Sequence, residues 1–170
     1  MVYVLEILNY QPFYIQTDAD EVAIDTTTWG MVAKTNPFLA LPTPKEPFKN
    51  EWLDEDGDDE YNAQMHYEAF EFDVQFYIKC FDTPEGSASE NITRQIGLFF
   101  DKVKNGEFRI YDSYTSVGRR RVRYAGYSEE KFKKRYKFGD GWARVIFTIK
   151  FKVNDPITRM RLYNGSIVEE

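Results

Sequence analysis

Two stretches of strict two-residue alternation constrain this chain more than anything else in it. In the first, Phe70, Phe72, Val74, Phe76, Ile78 and Cys80 alternate with Glu71, Asp73, Gln75, Tyr77 and Lys79. In the second, Ala143, Val145, Phe147, Ile149, Phe151 and Val153 alternate with a set that includes Arg144, Thr148, Lys150 and Lys152. Side chains along a strand point to opposite faces in turn, so each stretch reads as a long strand with one face on a core. Asn154-Asp155-Pro156 ends the second, because proline cannot donate to a ladder.

Between these strands the period changes. Ser87 and Glu90 have capping-box spacing, Ile92, Ile96, Phe99 and Val103 recur at helical intervals, and Asn105-Gly106 supplies a stop. The spacing predicts one helix whose apolar stripe covers an open face of a sheet. Alternation resumes over Glu107 to Tyr114 and again over Arg119 to Tyr127, and shorter strands are expected at Tyr3–Leu8, Val22–Ala33 and Arg159–Tyr163. Residues 36–62 read as an extended loop, with Pro37, Pro42, Pro44 and Pro47 ahead of the acidic run Asp54-Glu55-Asp56-Gly57-Asp58-Asp59-Glu60. The order of elements predicts a mainly β (α+β) fold, a two-sheet sandwich or split barrel with one packed helix. With no repeat and no linker, residues 1–170 are expected to form a single domain.

Composition matters here through what it excludes. A 17% aromatic share favours strands, and the solitary Cys80 excludes an intramolecular disulfide. Met1 to Leu8 is short and carries Glu6, so it reads as a strand and not as a signal segment. No apolar run approaches the roughly 20 residues of a membrane helix, and a soluble protein that stays where it is made is expected.

Charge is unevenly placed. Residues 1–60 hold 13 acids against Lys34, Lys45 and Lys49, a balance of −10, whereas residues 119–137 hold nine bases against Glu129 and Glu130, a balance of +7. Opposite poles steer a protein toward charged partners, further copies of itself included. The candidate interface is Arg119, Arg120, Arg121, Arg123, Lys133, Lys134 and Arg135 on the basic side, with Asp54, Asp56, Asp58 and Asp59 on the acidic side. On a regular strand Arg119, Arg121 and Arg123 project to one side, with Tyr124 and Tyr127 nearby, which is also the texture of a nucleic-acid surface. A pI near 5.0 argues against a dedicated nucleic-acid binder, so docking on an acidic partner is expected ahead of nucleic acid, with an idle solvated face as the remaining reading.

No motif assembles a catalytic or metal site. In the acidic run Gly57 comes too early for a calcium loop of the EF-hand type, so the run reads as a solvated loop. Glu71 and Asp73 share a strand face, as alternation requires of some polar pair on any half-exposed strand. His66 is the only histidine, which excludes sites built from several, and Cys80 falls on the apolar face, where thiols are inert. No G-x-S-x-G, phosphate-cradling glycine loop or dinucleotide fingerprint is present. No enzymatic activity, cofactor or metal is expected.

The second half of the chain resembles bacteriophage tail proteins of the distal-tail and tail-tube type. The resemblance lies in a helix, a strand, an Arg- and Tyr-rich strand, a loop and a final strand ending in Asp-Pro. It reads "ITRQIGLFFDKVKNGEFRIYD" and then "RRRVRYAGYSEEKFKKRYKFGDGWARVIFTIKFKVNDP". "LPTPKEPFKNEWLDEDGDDEY" is similar to the segment that precedes the long strand in such proteins, and the likeness spans roughly residues 20–160. The resemblance implies a prophage-encoded split barrel without catalytic residues. It implies assembly into rings, commonly hexameric, and partners that are copies of itself and other tail proteins. It implies a place in the virion after synthesis in the bacterial cytoplasm. No second, C-terminal domain of a full distal tail protein is expected after Leu162, which counts against a baseplate hub and leaves tube, distal-tail, terminator and connector roles as the expectation. A β-rich module binding carbohydrate or protein is the alternative, and a nucleic-acid-binding β domain a third.

Overall fold

The computed structural model describes residues 12–35, 41–46, 49–50, 59–60, 65–135 and 141–170. The expected strand at Tyr3–Leu8 and the acids Asp54, Asp56 and Asp58 lie outside these residues. Among the described residues there are eleven strands and one α-helix. The first three strands are β1 (Phe13–Gln16), β2 (Ile24–Asp25) and β3 (Met31–Thr35), with a 3-10 turn (Thr26–Trp29) between the second and third. Then come β4 (Lys49–Asn50), β5 (Asp59–Glu60), β6 (Phe70–Phe81), α1 (Ala88–Val103) and β7 (Phe108–Asp112). The last four are β8 (Val117–Arg135), β9 (Trp142–Val153), β10 (Arg159–Tyr163) and β11 (Ser166–Glu169).

Nine strands form one antiparallel sheet in the order β2-β1-β7-β8-β9-β6-β3, with β10 on β8 and β11 on β10. At its centre β6 and β9 pair without a shift from Phe70↔Val153 to Phe81↔Trp142, so the two alternating stretches place apolar opposite apolar, as at Phe72↔Phe151 and Phe76↔Phe147. Burying each such phenylalanine contributes about 1.5–3 kcal/mol. The sheet is bent hard. Phe13 on β1 meets Phe76 edge-on with ring centroids 5.7 Å apart, although β7, β8 and β9 lie between their strands. Across a flat sheet those four spacings would separate the strands by roughly 19 Å. A short link from β2 at one edge of the sheet to β3 at the other requires the same bend.

That link corrects the expectation of one strand over Val22–Ala33. The Asp25 carboxylate accepts from the Thr27 amide at 3.0 Å, and Gly30 adopts φ 67°. A side chain that bonds its own backbone draws the chain out of a ladder, and only a left-handed residue turns it back. Trp29 is thereby buried against Phe99, with centroids 5.5 Å apart.

Helix α1 starts as its sequence predicts. The Ser87 amide donates to the Glu90 carboxylate at 2.7 Å, and the Glu90 amide to the Ser87 hydroxyl at 3.4 Å. Ile92, Phe99 and Val103 are buried, Ile96 packs beside them, and Gly106 beyond the end has φ 81°. The segment read as an extended loop over 36–62 contains the pair β4–β5, registered Lys49↔Glu60 and Asn50↔Asp59. Strand β11 escaped the sequence reading, although Asn164-Gly165, at φ 48° and 80°, is the dipeptide that favours a two-residue hairpin.

Candidate interaction surface

Strand β8 carries most of the basic residues, and it is neither short nor regular. It runs 19 residues, twice the expected length, and its register slips against β7 between Phe108 and Ile110 and against β9 between Tyr124 and Gly126 and between Glu129 and Lys131. Each slip inserts a residue and reverses which face the following side chains take. At the first, Arg121 takes φ 53°, a left-handed conformation that β-carbons resist. Arg119, Arg121 and Arg123 therefore do not share one side: Arg119 is buried, and Arg121 and Arg123 are exposed.

The arginines also differ in partners. Arg120 donates through Nε to Asp155 at 2.5 Å and through Nη1 to Glu169 at 3.0 Å. Arg121 donates to Glu107 at 2.9 and 3.5 Å. Asp155 is the hub of a turn, accepting also from the amides of Ile157 and Thr158 and from the Thr158 hydroxyl at 2.8 Å. Burial opposes ionisation of Asp155, but the bonds from the Thr158 amide, Arg120 and the Thr158 hydroxyl outweigh it and hold the carboxyl at about 2. Glu107 is likewise held below the usual carboxylate range by its bonds from Arg121 and Asn154.

Lys133 is exposed and Lys134 half-buried, while Arg135 ends β8. Asp59 opens β5. The described residues do not bring the two poles of the chain together.

A cationic feature that was not legible in the sequence appears on the outer face of the sheet. The registers Lys79↔Arg144 and Lys133↔Arg144 align three cations across β6, β9 and β8. Like charges directly opposite destabilise a sheet, yet none of the three makes an ion pair among the described residues. Aromatic faces partly compensate: the Lys79 ammonium lies 5.0 Å from the Phe81 ring and 5.5 Å from Trp142, and the Arg144 guanidinium 5.7 Å from Trp142. At the other end of the same face Glu71 stands opposite Lys152 and Asp73 opposite Lys150, so the charges there alternate in sign. Lys79 and Arg144 are isolated cations in sequence. Aligning the two alternating stretches in antiparallel register would have brought them together.

A pocket of about 510 Å³ opens where β8 meets β10, lined by Leu41, Pro42, Arg119, Ile157, Arg159 and Met160 among others. Gly118 sits at its edge because the strands touch there: a β-carbon would lie 2.6 Å from the Met160 carbonyl. Desolvation pushes the Cys80 thiol up to about 11, so it is no nucleophile at neutral pH.

The bent sheet and its covering helix have a counterpart among solved structures. The Dit protein (gp 19.1) of phage SPP1, described as a paradigm of the hub adsorption apparatus in phages that infect Gram-positive hosts, superposes with a TM-score of 0.54 at 17% identity. The match covers 88% of this chain and 52% of that one, so the chain spans about half the length of that protein. At this identity the likeness is one of fold. No protein-family model matches the sequence. No curated protein matches it either.

Proposed function

We propose that this chain is a non-enzymatic structural component of a bacteriophage tail, a split barrel that works by protein–protein contacts in a ring of its own copies. The observation that carries the reading is the agreement of fold with a phage tail hub protein across 88% of the chain. A tube, distal-tail or connector position in a prophage-encoded virion fits it, with other tail proteins as neighbours.

The contact chemistry follows from which charges are free. A ring needs two different patches that meet head to tail. The basic patch is the outer face of β8, β9 and β6, where Arg123, Lys133, Arg144 and Lys79 are not committed to carboxylates within the described residues. The acidic patch is the run Asp54, Asp56, Asp58 and Asp59 of the next copy. Arg120 and Arg121 take a structural role instead, tying β8 to the turn before β10, to β11 and to the residue that precedes β7.

Mass spectrometry of purified phage particles from the source strain tests the role, and finding the chain in the particle fraction at the copy number of a ring is the expected outcome. The contact is tested by light scattering over protein concentration. Changing Lys79, Lys133 and Arg144 to Glu should abolish a salt-sensitive assembly, and changing Asp54, Asp56 and Asp58 to Lys in the same chain should restore it. An unchanged mass in the first variant would remove this interface and leave the tail role standing.

A further inference from the structure

The pocket between β8 and β10 holds a guanidinium that makes no ion pair among the described residues. Arg119 retains 8% of its exposure, and its Nε has no hydrogen-bond partner among the described residues. Arg159 lies directly opposite it in the β10–β8 register. Asp155 attracts Arg119 from nearby, but its oxygens already accept from Arg120, Ile157 and Thr158. Glu170 stands at the rim and makes no ion pair among the described residues. A guanidinium taken out of water without a partner is costly, and proteins that keep one generally use it to bind.

We infer that this pocket is a carboxylate-binding site in which Arg119, assisted by Arg159, receives a carboxylate carried on an apolar stem. The guanidinium fork matches the two oxygens of a carboxylate. Leu41, Pro42, Ile157 and Met160 supply apolar walls for the stem, and about 510 Å³ suits a residue-sized group. Two sources share this chemistry: an acidic side chain on a partner's peptide segment and a free aliphatic acid. The site is separate from the cation row at Lys79, Arg144 and Lys133, so its fate does not depend on how copies of the chain assemble.

The Nε–H of Arg119 is its own reporter in ¹⁵N-resolved NMR, identified by its loss in Arg119→Met. The probes are glutarate, the blocked peptide acetyl-Pro-Leu-Glu-Leu-amide, glutaramide as the neutral control, and inorganic phosphate. Glutarate or the peptide should shift the Arg119 signal saturably, and whichever binds more tightly names the source. Arg119→Met should weaken that binding roughly tenfold to hundredfold without lowering the melting temperature, since it removes an unpaired buried charge. Should Arg119→Met fail to fold, the exposed Arg159→Met carries the test, with a smaller loss expected. Equal binding of glutaramide, equal or tighter binding of phosphate, or no saturable shift at millimolar glutarate and peptide would overturn the assignment.

Discussion

The two halves of β8 look alike in sequence and behave differently in the fold. In the first half, Arg120 and Arg121 meet Asp155, Glu169 and Glu107, carboxylates contributed by three other segments of the chain. Among the described residues the second half, from Lys131 onward, pairs with β9 alone and sets Lys133 beside Arg144. Arg120 and Arg121 hold the fold together, whereas Lys133 is exposed and makes no ion pair among the described residues. A run of cations in a sequence therefore says little about which charges are available, because the answering carboxylates arrive from elsewhere.

Removing the hub should separate the halves most sharply. Asp155→Ala leaves Arg120 with Glu169 alone and the Ile157 and Thr158 amides without their acceptor, and should cost about 3 kcal/mol in urea unfolding. A loss below about 1 kcal/mol would mean that the first half is no better anchored than the second. The pH dependence comes next. Asp155 is held at about 2 against an ordinary 3.8, so its folded-state value is depressed. Its contribution is complete above pH 4 and disappears as pH falls toward 2, on the order of 2 kcal/mol. Acid unfolding followed by circular dichroism should show this slope in the native chain and a flatter one in Asp155→Ala. The smallest effect belongs to the second half: Lys133→Ala should change stability by less than about 0.5 kcal/mol, or raise it slightly by relieving Arg144. A loss of more than about 1 kcal/mol in the same urea titration would show that this half is structurally tied after all.

The same contrast runs through what could be read in advance. The alternation at Phe70 to Cys80 and Ala143 to Val153 and the box at Ser87 and Glu90 are local signals, and the structure follows them. Strand β10 was also legible, and β11 would have been, had Asn164-Gly165 been read as a hairpin. The length of β8 was hidden because its bulges reverse parity, so no single two-residue period runs through it. Of the candidate interface residues, Lys133 is exposed, Arg119 is buried, and Arg120 and Arg121 pair with acids of the same chain.

By itself the sequence determined where strands and helix form and which faces are apolar, since side-chain periodicity and capping act over a few residues. Only the tertiary structure decided which charges are paired, which are aligned with their like, and which arginine is left in a pocket. Electrostatic energy depends on distance and burial, and both are set by which strands become neighbours once the sheet bends.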